Sequence, residues 1–295
     1  MIPSQLRFTA LEGNRMKLDG GTMFGNAAKA LWNRWTPSDD RNMIDIGSRS
    51  LLIETRHHKI LFETGTGAYL SPDMKNRFQI TEPHHVLLAS LSLMGLSHED
   101  ITHVILSHLH FDHAGGLLSQ WEQGRSPELL FPNATFYVGK KNFHRSCRPH
   151  LRDKASFIPG LSQLLEETGR LILINGKDVL NLDDVRVDFV ESQGHTPGMM
   201  LSYIQARTQN LFFAGDLAPG HAWIHLPLSM GYDRFPECLI DEKMMFFNRV
   251  LEKNALIFYT HDPAYAASKI SYDMTLNKYK AIDLIKDLDP LNFMG

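Results

Sequence analysis

The stretch Ser107-His108-Leu109-His110-Phe111-Asp112-His113-Ala114-Gly115-Gly116 places four metal-binding side chains, His108, His110, Asp112 and His113, within six positions. The apolar run Thr102-His103-Val104-Ile105-Leu106 precedes it and reads as a buried strand ending just before the first of them. Imidazole and carboxylate are ligands that zinc, iron and manganese share. Side chains at i and i+2 can converge on one ion, whereas those at i+4 and i+5 fall too far along to join it easily. The spacing therefore points to two adjacent ions, each drawing part of its shell from one loop. A solvated histidine-rich loop is the competing reading, but four such residues in six positions are unusual by composition alone.

Working outward, three more apolar runs each end at a His or Asp. Val185–Val190 leads to His195, Leu211-Phe212-Phe213-Ala214 leads to Asp216, and Ala255-Leu256-Ile257-Phe258-Tyr259 leads to His261. A sheet can aim loop residues from several strand ends at one shared point. Gly194, Pro197, Gly198 and Gly215 make tight turns plausible beside them. Singly, His195 would read as a hydrogen-bonded loop residue and Asp216 as a helix cap. In order after HxHxDH they read as one metal site.

This set resembles the metallo-β-lactamase-fold hydrolase superfamily, over nearly the whole chain up to His261. The resemblance implies an α+β fold, an αβ/βα sandwich of two mixed β-sheets flanked by helices, with the site along one edge. It implies a binuclear centre in which His108, His110 and His195 hold one metal, Asp112, His113 and His261 hold the other, and Asp216 bridges them. The full set is similar to that of the lactonase, methyl-parathion-hydrolase, glyoxalase II and RNase Z branches, and unlike the true β-lactamases, which lack the bridging Asp. Glu63 departs from the family pattern, which commonly has Asp before Thr-Gly. As partners for the ligands' second ring nitrogens, Asp262, Glu191 and Glu63 are the candidates in sequence; Glu63 reads equally as a turn cap.

Length and composition fit one domain over 1–295. A net charge of −3 offers no electrostatic footprint for nucleic acid, which weighs against the RNase Z branch. Cys147 and Cys238 lie away from the ligand motifs and read as free thiols in a reducing compartment. The stretch Met1–Arg7 has no apolar core of signal-peptide length, and no run approaches the ~20 apolar residues of a membrane-spanning helix. A cytoplasmic location without membrane association is the default expectation.

Ile44–Glu54 and Lys59–Glu63 read as strands joined by a turn at Arg56-His57-His58, and Glu82–Gly95 and Asp241–Asn254 as amphipathic helices. The segment 20–43 is aromatic for a loop-rich connection. It reads as a wall over the metals or as packing or a dimer surface, so a homodimer stays open. Candidate substrate contacts are Phe24, Trp32, Trp35, His221, Trp223 and His225. Related lactonases place a Tyr after the bridging Asp; here Leu217-Ala218-Pro219-Gly220 follows it, leaving Tyr232, His221 or His225 to supply a polar contact. His57, His58, His84, His85, His98, His103, His144 and His150 lack ligand spacing and read as structural or solvated.

The expected reaction is hydrolysis of a small lactone or carboxylic ester. Two divalent ions, zinc first with iron, manganese or cobalt as alternatives, would turn water into a hydroxide nucleophile near neutral pH. Asp112 is the carboxylate expected to steer that proton. A glyoxalase II-type thioesterase is the alternative, and an iron-dependent persulfide-dioxygenase-like oxidoreductase a more distant one.

Overall fold

The computed structural model describes residues 6–288; residues 1–5 and 289–295, and with them most of the Met1–Arg7 stretch, lie outside the described residues. Two mixed sheets carry the chain. The first has six strands in the spatial order Arg7–Glu12, Arg49–Glu54, Lys59–Phe62, His103–Leu106, Thr135–Gly139 and Leu171–Ile174. The second has seven, in the order Lys278–Ile285, Ala267–Asp273, Leu256–Phe258, Asn210–Phe213, Met199–Gln205, Val185–Ser192 and Val179–Leu182. Lys59–Phe62, His103–Leu106, Thr135–Gly139 and Leu171–Ile174 run parallel, as do Asn210–Phe213 and Leu256–Phe258.

Alternation along the strands builds the layers, because successive side chains face opposite ways. Leu51, Ile53, Ile60, Phe62 and Ile105 point inward against Val187, Phe189, Met200, Ile204, Phe213 and Phe258 of the second sheet. Their neighbours Leu52, Leu61, Val104 and Leu106 point outward, under the helices Val86–Leu93 and Leu161–Glu167. The other outer face takes Pro236–Lys253, whose Leu239, Phe247 and Val250 pack on Phe212 and Ile257. Strands covered on both faces are apolar throughout, which is why their sequences read as unbroken hydrophobic runs. The layer order is the sandwich the resemblance implies.

The segment 20–43 folds as two short helices, Gly20–Phe24 and Lys29–Trp32, off a two-stranded ribbon of Met16–Asp19 with Met43–Ile46. Asp19 caps the first helix by accepting the Thr22 amide at 2.7 Å. A Cβ on Gly20 would stand 2.4 Å from the Trp32 ring, so only glycine permits this approach. No helix among the described residues is long and apolar enough to cross a membrane.

Candidate metal centre

The seven residues converge at the edge where the carboxyl ends of central strands from both sheets meet. His108 follows His103–Leu106; its Nε2 lies 3.0 Å from His110 Nδ1, and its Nδ1 contacts Ser107 Oγ at 2.9 Å. Ser107 is itself clamped between the sheets: its amide donates to Glu63 Oε1 at 2.8 Å and its carbonyl accepts from Met200 at 2.8 Å. Asp112 and His113 sit on the helical turn Phe111–Ala114, pressed against the first sheet through two glycines. A Cβ at Gly116 would meet the Thr64 carbonyl oxygen at 2.0 Å, and one at Gly115 the Thr66 oxygen at 2.2 Å. That closeness lets Thr64 hold the His113 carbonyl through both its amide, at 2.9 Å, and its hydroxyl, at 3.0 Å.

From the second sheet, Val185–Ser192 delivers His195. Glu242 of the long outer helix accepts from Ser192 Oγ, Gln193 N and Gly194 N at 2.6, 2.7 and 3.1 Å, fixing the loop's path. Asp216 lies in the turn Gly215–Leu217 after Asn210–Phe213. His261 follows Leu256–Phe258, and its loop is tied to the first sheet by buried Arg49, which donates to the Asp262 and Tyr265 carbonyls at 2.9 and 3.1 Å.

Among the described residues three groups of ligand atoms lie close enough to hold ions: His108, His110 and His195; His108, His113 and Asp216; and Asp112, His113 and His261. Asp216 stands between the first and last. Its Oδ2 is 3.3 Å from His195 Nε2, while its Oδ1 is 3.1 Å from His113 Nε2 and 3.3 Å from His261 Nε2. Asp112 Oδ2 is 3.4 Å from His261 Nε2 and is the most exposed carboxylate of the set.

The far ring nitrogens decide what these near ones can do. His261 Nδ1 faces the Gly47 carbonyl at 2.8 Å, which only accepts, so it carries the proton and Nε2 presents a lone pair. Asp233 Oδ1, 2.8 Å from His195 Nδ1, imposes the same tautomer, and Glu63 Oε2 lies 3.5 Å from His113 Nδ1. His113 Nε2 and His261 Nε2 then face each other at 3.0 Å with the Asp216 carboxylate beside them. The lone pair of His261 and the Asp216 carboxylate meet there, and buried Asp216 Oδ1 has no hydrogen-bond partner. Such a constellation calls for a cation, and a neutral-imidazole and carboxylate donor set suits first-row divalent ions.

The electrostatics agree. Burial, then neighbouring imidazoles, hold His108 and His110 well below the ordinary histidine range. Burial is the largest single effect and opposes charge on His113, His195 and His261, yet Asp216 together with Asp112 and Glu63 at His113, Asp233 at His195 and Asp112 at His261 outweighs it and raises all three. For Asp216, burial works against ionisation but His113, His261 and His195 keep it an anion. Asp216 thus draws positive charge toward the place an ion would take.

The remaining candidates from sequence fall elsewhere. Phe24, Trp32 and Trp223 are 0%, 1% and 3% exposed and stack on one another, with Phe24 4.6 Å from Trp223 and 5.1 Å from Trp32 between ring centroids. Their faces are spent on packing and present little surface to a ligand. Trp35, His221 and His225 line a separate cleft of about 480 Å³ with Lys278 and Tyr279. Among the described residues none of the six makes a hydrogen bond or ring contact with the seven candidate ligands. Asp262 holds His221 rather than a ligand, and Glu191 pairs with Lys141. Glu63 does reach the site, in a left-handed conformation with φ of 62°.

Sequence reasoning missed Asp233, 38 positions from the histidine it orients, together with Glu242 and Tyr69. Only three-dimensional proximity reveals them. Burial and then Asp112 raise the Tyr69 phenol, and the same two causes act on Tyr232, so both phenols lie in the field of Asp112. His85, read as structural, is buried and bridges the Leu88 amide and the Gly116 carbonyl.

The model of the metallo-beta-lactamase superfamily matches residues 44–261. Among solved structures, a probable metal-dependent hydrolase from Staphylococcus aureus is 26% identical with a TM-score of 0.83, covering 97% of this chain and 98% of that one. AidC, a dizinc quorum-quenching lactonase in complex with a hexanoyl-homoserine product, is 21% identical with a TM-score of 0.74 over 94% of each chain. An N-acyl homoserine lactone hydrolase with N-hexanoyl-L-homoserine at its catalytic metal centre is 19% identical, with a TM-score of 0.63 over 87% of this chain and 93% of that one.

Proposed function

This chain belongs to the metallo-beta-lactamase superfamily and has its metal-dependent hydrolase fold, and we propose that it is a binuclear hydrolase of small lactones or carboxylic esters. The observation that carries this reading is the split of Asp216, with one oxygen toward His195 and the other toward His113 and His261. In this reading His108, His110 and His195 hold one ion, Asp112, His113 and His261 the second, and Asp216 bridges them. Zinc is the first choice of metal, in a soluble cytoplasmic enzyme of one domain.

Bound there, two divalent ions supply Lewis acidity at the scissile carbonyl and a nucleophile from water at neutral pH. The protein's own part is positional. Asp233 and the Gly47 carbonyl fix the ring tautomers of His195 and His261, so no reorganisation is needed when charge develops. Asp112, at the open side of the cluster, takes the proton that the nucleophile gives up and passes it toward the leaving oxygen. The phenols of Tyr69 and Tyr232, raised by burial and then by Asp112, are the donors we assign to a carbonyl or leaving oxygen in the absence of a Tyr after Asp216.

Two results test the reading: metal content per chain after purification without chelator, and turnover of an acyl homoserine lactone, an aryl ester and a thioester. Two ions with lactone or ester turnover, both lost in Asp216→Asn, support it. Preference for the thioester would move the chain to the glyoxalase II type, and a single iron without hydrolysis would overturn it.

A further inference from the structure

Next to the candidate centre, on the His195 side, lies an open depression of about 450 Å³ lined by Asp19, Thr22, Arg152, Gly231, Asp233 and Arg234 among others. It is joined to the site by two short links. Asp233 orients His195 at 2.8 Å, and the Arg234 amide donates to the His195 carbonyl at 3.2 Å. Tyr232 lies between Gly231 and Asp233 of the lining in the chain.

The spare hydrogen-bonding capacity there is that of donors. Arg234 has only 12% of its side chain exposed, and its buried Nε and Nη1 have no hydrogen-bond partner. Its nearest carboxylate oxygen, Asp153 Oδ2, is 3.8 Å away and already accepts from Arg145 Nε and Nη2 at 2.9 and 2.8 Å. Asp153 Oδ1 also lacks a partner, but Asp153 does not line the depression. Arg152 is exposed and steadied by one bond to the Gly231 carbonyl at 2.9 Å. The two carboxylates in the lining are committed, Asp19 to Thr22 and Asn42, and Asp233 to His195 and Met230. The Arg234 guanidinium has only the long ion pair with Asp153 and no hydrogen bond to it, and a carboxylate is the partner its fork matches. The fixed charges of Asp19 and Asp233 disfavour a dianion, which selects a carboxylate over a phosphate.

We propose that this depression is a subsite for a single carboxylate on the substrate, held by Arg234 and Arg152, so that the preferred esters carry an acid group several bonds from the scissile carbonyl. This rests on the hydrolase reading and narrows its substrate class to anionic lactones and esters. The test compares a 4-nitrophenyl ester of butyric acid with the 4-nitrophenyl monoester of glutaric acid in the metal-loaded protein and in Arg152→Ala and Arg234→Gln. The ratio of kcat/KM, acid ester over neutral ester, should fall about tenfold in each variant, the order expected for one charge-assisted hydrogen bond, with the change mostly in KM.

Titration calorimetry with hexanoate, and with hexanamide as its uncharged match, reads the subsite without turnover. Saturable binding of the acid alone, weakened in Arg152→Ala, supports the subsite even where neither ester is cleaved. An ester ratio that stays within twofold, or equal binding of acid and amide, overturns it and leaves the hydrolase reading standing.

Discussion

Asp233→Asn separates the two halves of the proposed centre. The wild-type carboxylate is 2% exposed and serves two donors, His195 Nδ1 through Oδ1 at 2.8 Å and the Met230 amide through Oδ2 at 2.6 Å. An asparagine has one acceptor to offer. If its oxygen stays on His195, its NH2 group confronts the Met230 N–H, a buried clash of donors that costs about 1–3 kcal/mol. If it flips, the NH2 group faces His195 Nδ1, the ring proton moves to Nε2, and the lone pair aimed at the centre is lost. Both outcomes weaken the ion held by His108, His110 and His195. The expected loss is about 10–100-fold in affinity, or about 1.4–2.8 kcal/mol. The ion at Asp112, His113 and His261 keeps its own orienting bond, His261 to the Gly47 carbonyl, with Glu63 beside His113, and should change by less than about threefold. Competition of zinc with a chromophoric chelator, fitted for two ions, reads both affinities. Two ions bound at wild-type strength, or two weakened equally with the circular dichroism unchanged, would refute the assignment of Asp233 to one half of the site.

Two further outcomes follow from buried groups. Lys243 is wholly buried, with Nζ on the His225 and Leu228 carbonyls at 3.0 and 2.9 Å; burial pushes its ammonium down to about 7 despite nearby Asp233, so the unfolded chain holds the proton longer and stability should rise with pH from about 7 toward 10. Urea unfolding should show wild type gaining about 2 kcal/mol over Lys243→Met between pH 7 and 9; parallel curves would contradict it. Gly116→Ala drives a Cβ to within 2.0 Å of the Thr64 carbonyl oxygen, which backbone must yield to, so calorimetry should show a destabilisation of about 2 kcal/mol and weaker zinc binding at His113.

The ligand run was legible because each element of it is local. An apolar strand, a glycine-bounded turn and a His or Asp at the strand end are all written within about ten residues, and His103–Leu106, parallel to Lys59–Phe62 in one sheet, and Leu256–Phe258, parallel to Asn210–Phe213 in the other, bring those ends to one edge. The expected hairpin through Arg56–His58 and the helix over 241–254 formed for the same reason, although the strand expected over Ile44–Glu54 divides into Met43–Ile46 of the ribbon and Arg49–Glu54, and the helix begins earlier, at Pro236, where a proline suits the first turn. What surrounds the metals is not local. Trp32, Phe24 and Trp223 meet from positions almost 200 residues apart, and nothing in an aromatic segment says whether its rings will face a ligand or one another.

The same distinction explains why Asp233 escaped notice while His195 did not. A ligand must lie where the backbone aims it, so its position is tied to a strand end. A residue that sets a ligand's tautomer needs only to bring one acceptor within about 3 Å. Asp233 does so from a loop pinned at its base by Lys243 and at its tip by the Met230 amide. That loop also carries Tyr232 and Arg234. The residues proposed to choose the substrate are thus mounted on the same support that orients one metal ligand, so substitutions that reshape the support should alter specificity and metal affinity together, whereas Arg152, which reaches in from outside the loop, should alter specificity alone.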